Sequence, residues 1–222
     1  MARKVSAARL STEEVAHYEK TRYSGNQKLV DRIEQKIVRE LLGMAVGKMD
    51  KAAVSALDVP SGYGRFTPAL LESCGSLTSF DASASMAGRA RDQARALGAI
   101  DPKAGVTDIR ALPFADRSFD VVLSMRLLHH FHEREDREPM FRELHRVTRE
   151  HLVISYYDST PAHRLQRKIA GIFSKKRRNS RIFFFGADRF RDEAEKAGLR
   201  IVAERAPLPM LHAQRIALLR RA

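Results

Sequence analysis

Cysteine is almost missing: Cys74 is the single one in 222 residues. An internal disulfide is therefore excluded, as is a cysteine-rich metal site. A reducing, cytoplasmic setting is expected. No run of about 20 apolar residues occurs, so no integral membrane segment is expected. The first stretch, MARKVSAARLSTEEVAHYEK, carries early positive charge with no apolar core behind it, and a secretory signal is not expected. Internal repeats and low-complexity linkers are also lacking. What is present is an ordinary globular composition, 44% hydrophobic and 30% charged, long enough for one sizeable α/β domain over 1–222.

Acidic residues are in short supply. Forty Lys and Arg face 27 Asp and Glu, a net charge of +13. Such a field attracts anionic partners: nucleic acid, an anionic membrane surface or phosphorylated substrates. It speaks to association and not to fold.

Hydrophobic spacing supplies the fold class. Ser11–Glu19 and Gln27–Met44 read as helices. In the second, Leu29, Val30, Ile33, Ile37, Val38, Leu41 and Leu42 recur at helical spacing, and Asp31, Arg32, Glu34 and Lys36 fill the other face. Strands are then expected at Val54–Val59, Leu77–Phe80, Gly105–Thr107, Phe119–Met125, His151–Tyr156, Leu199–Ala203 and Ile216–Leu219. Helices at Gly64–Cys74, Ser85–Leu97, Glu133–Val147 and Ala187–Ala197 alternate with them. The alternation predicts a Rossmann-like, mostly parallel sheet of seven strands with helices on both faces. Four segments are distinguished along the chain: a helical cap over 1–50, a core over 51–160, a basic insert over 161–185, and a closing helix and strands over 186–222.

In such a sheet, ligands sit beyond the carboxyl ends of the strands. DVPSGYG lies at the first of these ends. Gly62 and Gly64 let a ligand approach the backbone there. The third glycine of the dinucleotide fingerprint is absent, Thr67 taking its place, which argues against a nicotinamide oxidoreductase; the P-loop pattern is absent too. Asp81 ends the second strand about 20 residues further on, where an acid accepts from two ribose hydroxyls. Asp108 and Ile109 end the third, where an acid can receive the adenine amino group and an apolar neighbour can cover the ring. These residues ask for a nucleoside without a bound pyrophosphate.

The segments ALDVPSGYGRFTPAL, SFDASASM, TDIRALPFADRSFDVVLSMRLLHHF and LVISYYD, spanning Ala56 to Asp158, resemble class I S-adenosylmethionine-dependent methyltransferases of the ubiquinone-biosynthesis-like type. The resemblance implies S-adenosylmethionine as cofactor and an antiparallel last strand in a closing hairpin. It implies that Asp58, Gly62 and Gly64 hold the methionine portion, and that Met125 lies near it. It further implies that Asp81 binds the ribose, with Ala82 and Met86 near the adenine, and that Asp108 and Ile109 edge and cover that ring. Pro60 stands where the family usually has the loop's first glycine. Proline fixes φ near about −65° and removes a donor, so the chain is expected to be extended there.

Methyl transfer needs alignment, and a base only when the nucleophile arrives protonated. His129 and His130, after the fourth strand, are the candidate bases; His132, Tyr157 and Asp158 stand behind them. HHFH lacks the further ligands of a metal site, and no metal is expected. Arg22 is a candidate for the cofactor carboxylate or an acidic substrate.

The stretch PAHRLQRKIAGIFSKKRRNSRIFFF carries Arg164, Arg167, Lys168, Lys175, Lys176, Arg177, Arg178 and Arg181, with no acid from Pro161 to Arg181. Leu165, Ile169, Ile172 and Phe173 give its first half the spacing of a basic amphipathic helix. A substrate lid is the first reading. An anionic lipid surface is second. RNA held by KKRR and stacked on Phe183, Phe184 and Phe185 is third. The acceptor is expected to be a small molecule or a lipid- or sugar-linked group. The rival functions are an RNA methyltransferase, which lacks here an appended RNA-binding module, and a non-catalytic nucleoside-binding scaffold.

Overall fold

The structure, a computed structural model, describes residues 26–158, 184–208 and 212–222. The expected first helix, Arg22, Phe183 and all the basic residues of the insert lie outside the described residues.

Seven strands form one sheet in the order β3-β2-β1-β4-β5-β7-β6. They are β1 (Ser55–Asp58), β2 (Ser76–Asp81), β3 (Lys103–Val106), β4 (Phe119–Ser124), β5 (Thr148–Tyr157), β6 (Leu199–Arg205) and β7 (Gln214–Arg221). Pairings from β3 through β5 are parallel, and β7 runs antiparallel to both β5 and β6. The chain goes outward from β1 to β3, then returns to build β4 and β5 on the other side. That reversal between β1 and β4 opens a crevice at their carboxyl ends, where ligands of open α/β sheets bind.

Five helices lie against the sheet among the described residues: α1 (Asn26–Val46), α2 (Thr67–Ser73), α3 (Ala84–Ala96), α4 (Arg134–Val147) and α5 (Ala187–Lys196). The central strands are buried on both faces, so their side chains divide by parity. Ala56, Val121, Leu123, Val153, Ile216 and Leu218 pack with Val38 and Leu41 of α1 and Leu70 of α2. Leu57, Val122, Leu152, Ile154 and Leu219 pack with Phe141 and Leu144 of α4 and Phe190 of α5. Both layers were expected, and element ends agree with the sequence to within a few residues.

Helix α1 departs from its sequence reading in two places. Leu29 is 59% exposed, because it precedes the turn at which α1 first meets the sheet. Glu34, assigned to the charged face, is completely buried. It lies four residues from both Val30 and Val38, on the apolar stripe, and is held there by arginines from elsewhere in the chain.

The exit of the basic insert is fixed to the core. Phe185 is buried in the α4-side core, and the Arg137 guanidinium lies 4.5 Å from its ring centre. Arg137 is 1% exposed and makes a forked pair with Glu193 of α5, at 3.0 and 2.9 Å. Phe185 therefore serves packing and has no free face to stack on a base, which corrects the reading of IFFF as an RNA platform at that position.

Candidate active site

The loop after β1 is built around Asp81. The Gly62 N–H donates to Asp81 Oδ2 at 2.9 Å, and the Ser83 N–H donates to Asp81 Oδ1 at 2.9 Å. One carboxylate at the end of β2 thus ties down the glycine loop of β1 and the entry to α3. The Ser61 N–H adds a bond to the Phe80 carbonyl at 2.9 Å. Burial raises the Asp81 pKa, and the N–H groups of Ser83, Gly62 and Ala82 oppose the rise. Backbone donors on one side leave the carboxylate lone pairs that can accept from two hydroxyls.

The glycines differ in purpose. Gly62 has φ +53° and nothing within 4 Å of where a Cβ would stand. That open space is what close approach of a ligand requires. At Gly64, φ is +88° and a Cβ would lie 2.9 Å from Ala90 Cα. Gly64 is needed for packing against α3. Gln93 of α3, with its amide turned to donate, bonds the carbonyls of Tyr63 at 2.8 Å and Gly64 at 3.1 Å. Pro60 follows a cis peptide, and the left-handed positions fall on Gly62 and Gly64, where the chain tolerates them.

Asp58 ends β1 and is 1% exposed. Its Oδ2 has no hydrogen-bond partner. Burial first, and the charge of Asp81 second, push its pKa well above the ordinary carboxylate range. A buried acceptor with no donor is costly unless a ligand or water supplies one. The open face of Gly62, the unpaired oxygen of Asp58 and the fixed carboxylate of Asp81 together fit a ligand with a cationic end and a ribose.

Along the sheet, Ala82 is exposed beyond β2, and Met86 is buried on α3. Asp108 and Ile109 follow β3, which pairs with β2 through Asp81 and Val106. The Asp108 side chain shares no hydrogen bond with the Asp81 carboxylate; Thr107 joins the two residues only through their carbonyls, at 3.0 and 3.2 Å. The Arg110 guanidinium donates to both Asp108 carboxylate oxygens, at 3.0 and 2.7 Å, and this bonding holds the Asp108 pKa below the ordinary range. Ile109 sits in the α4-side core and Met125 in the α1-side core.

Sequence reasoning missed an ion cluster at the β1 and β4 ends. The Arg126 backbone has φ +56°, and its N–H donates to Ser155 Oγ at 2.7 Å. Its guanidinium donates to Glu34 at 2.6 and 2.8 Å. Arg65, in the glycine loop, also pairs with Glu34, and its Nε donates to Asp31 at 2.6 Å. Helix α1 is thereby bolted to both loops of the crevice. An acid standing on the apolar stripe of α1 was the signal available in the sequence; the positive φ of Arg126 left none.

Beyond β4, His129 and His130 lie in a 3-10 turn over Leu128–His130, with ring centres 4.0 Å apart. The His129 ring meets Tyr157, at the end of β5, edge-on at 5.1 Å. Phe184 meets Tyr157 edge-on at 6.5 Å. His129, Tyr157 and Phe184 are half-buried and His130 is exposed. His132 is exposed, and its carbonyl accepts from Arg137 at 2.6 Å. The Asp158 N–H donates to the Ala213 carbonyl at 2.7 Å. Among the described residues, no group of three His, Cys, Asp or Glu is placed to hold a metal, and no helix is long and apolar enough to cross a membrane.

Residues 57–154 match the family model of a methyltransferase domain. No curated protein matches the sequence. Among solved structures, the fold is similar to magnesium protoporphyrin IX methyltransferase from Synechocystis PCC 6803 with bound S-adenosylhomocysteine. The identity is 19%, the TM-score 0.76, and the match covers 93% of this chain and 95% of that one. The same enzyme with bound S-adenosylmethionine matches at 17% identity and a TM-score of 0.68, over 98% of this chain and 100% of that one. A protein from Pyrococcus horikoshii OT3 matches at 18% identity and a TM-score of 0.70, over 93% of this chain and 99% of that one.

Proposed function

We propose that the chain is a class I S-adenosylmethionine-dependent methyltransferase, as its methyltransferase-domain match over residues 57–154 supports, and that it methylates a small-molecule or a lipid- or sugar-linked acceptor held over the ends of β4 and β5. The observation that supports the site assignment is the group at the β1 and β2 ends: unpaired Asp58, open Gly62 and Asp81 fixed to the loop.

When bound, the cofactor would supply an electrophilic sulfonium methyl to the acceptor's lone pair. Asp58 Oδ2 accepts from the α-ammonium of the methionine portion. Gly62 gives that portion backbone contact, and Gly64 sets the loop against α3. Asp81 accepts from the ribose hydroxyls. Ala82, Met86, Asp108 and Ile109 border the adenine, and Met125 backs the methionine portion from the core. Loss of a proton from an OH or NH acceptor falls to His129 or His130, since imidazole titrates near neutrality.

The insert supplies eight basic residues and no acid between Pro161 and Arg181, most of the net +13 of the chain. Its proposed part is a basic lid over the acceptor, with an anionic surface as the partner its charge would favour.

Labelled S-adenosylmethionine and an acceptor panel test this reading. Methyl transfer is expected to fall in His129→Gln or His130→Gln with S-adenosylhomocysteine binding intact. Full transfer by the double variant would remove the histidines from the chemistry. Transfer confined to RNA would favour the rival acceptor class.

A further inference from the structure

Gln214 opens β7 and is completely buried, yet neither its Oε1 nor its Nε2 has a hydrogen-bond partner. A buried primary amide with both ends unmet is uncommon in a native core and calls for a missing partner. Its position says where that partner sits. Gln214 lies directly opposite Tyr157 in the antiparallel β5–β7 pair. Directly opposed residues project to one face of a sheet, with Cβ atoms about 5 Å apart. Tyr157 is the ring on which His129 and Phe184 converge edge-on. An unsatisfied donor–acceptor pair therefore adjoins a cluster of four π-systems, at the strand ends next to those assigned to the methionine portion.

Position along the sheet orders the crevice. Asp81 and Asp108 mark the adenine end over β2 and β3, and Asp58 the methionine end over β1. The transferable methyl would then face the ends of β4 and β5, where the rings lie, with Gln214 beside them at the start of β7. Edge-to-face and offset contacts of rings favour a flat, unsaturated partner over a puckered one of equal size.

We infer that the acceptor is a planar aromatic or heteroaromatic molecule, packed against His129 and Tyr157 and recognised by the Gln214 amide through a polar group that both accepts and donates. This rests on the methyltransferase reading above, but it fails separately from it. Gln214 acts as a specificity residue, remote from the methyl itself. Because its amide is unmet without the acceptor, an apolar residue of similar shape is tolerated in the empty protein.

The test uses full-length protein saturated with S-adenosylhomocysteine and two probes matched in carbon skeleton and hydroxyl count: flat naphthalene-2,7-diol and its fully saturated, puckered counterpart. The expected result is at least roughly tenfold tighter binding of the aromatic diol by calorimetry, because stacking and the amide contact both favour it. In Gln214→Met the diol weakens by about tenfold, while S-adenosylhomocysteine affinity is unchanged and Tm is equal or higher. Tyr157→Leu provides a second variant, expected to erase the preference for the aromatic probe. Equal binding of the two diols, binding of neither, or a Gln214→Met protein with lowered Tm and unchanged diol affinity would overturn the inference. Failure of the wild type to bind S-adenosylhomocysteine would instead remove the cofactor site on which it rests.

Discussion

Asp120 and Asp58 belong to adjacent parallel strands and are buried alike, at 4% and 1% exposure, but they stand at opposite ends of the sheet. Asp120, at the start of β4, is fully partnered. It accepts from the Ser55 N–H at 2.8 Å, from Ser55 Oγ at 2.7 Å, and from Arg149. Burial alone would raise its pKa, but these donors outweigh burial and hold it below the ordinary value. Asp58, at the end of β1, has an unpaired oxygen, and burial with the charge of Asp81 holds its pKa well above. The same residue type in the same sheet is satisfied where it serves folding and left unmet where a ligand completes it.

The largest effect expected on this contrast comes from Glu34→Gln. It removes the charge shared by Arg65 and Arg126 and so makes the carboxyl end as costly in stability as the amino end. Breaking a buried ionic group of this kind costs about 3 kcal/mol, read by urea unfolding, and loosens S-adenosylhomocysteine binding. Asp81→Ala comes next, with about a 100-fold loss of cofactor affinity by calorimetry, since a charged acceptor and the loop's tether go together. Gly64→Ala should cost about 2 kcal/mol in stability, because backbone strain adds to a clash with α3. Gly62→Ala carries only the strain, about 1 kcal/mol, yet its methyl enters the open space and lowers cofactor affinity.

The two aspartates themselves give the sharpest test of sign. Asp120 has a lowered folded-state pKa, so its contribution is complete above its unfolded pKa and is lost as pH falls through the folded one. Asp120→Asn should lower stability by about 1–2 kcal/mol at neutral pH, and the gap from wild type should close on acidification below about pH 4. Asp58 has a raised folded-state pKa. Its contribution is complete below the unfolded pKa and is lost as pH rises through the folded one. Asp58→Asn should therefore leave Tm at neutral pH equal or slightly higher, while weakening cofactor binding.

Strand–helix alternation made the sheet legible, because a strand buried on both faces reads as a short apolar run wherever it occurs. DVPSGYG and the acid ending SLTSFD were likewise legible, since strand ends and glycines carry local signatures. The bond from Gly62 to Asp81 was not, nor was Gln214. Each depends on which strand lies beside which, and β7 reaches β5 only through the fold. Glu34 reads as a surface residue by its charge, but its place on the apolar stripe of α1 buries it. Asp108 is legible by its position after β3, but not its pairing with Arg110 two residues on, which depends on the turn the chain makes there. The basic insert was conspicuous in composition, but composition does not say what its charge meets.

The most direct test of the account is calorimetric titration with S-adenosylhomocysteine of three proteins: wild type, Asp81→Ala and Asp120→Asn. Binding by the wild type and by Asp120→Asn, with loss in a folded Asp81→Ala, is the predicted result. Equal binding by Asp81→Ala and the wild type, or no binding by a folded wild type, would contradict the assignment of the carboxyl edge of β1 and β2 as the cofactor site.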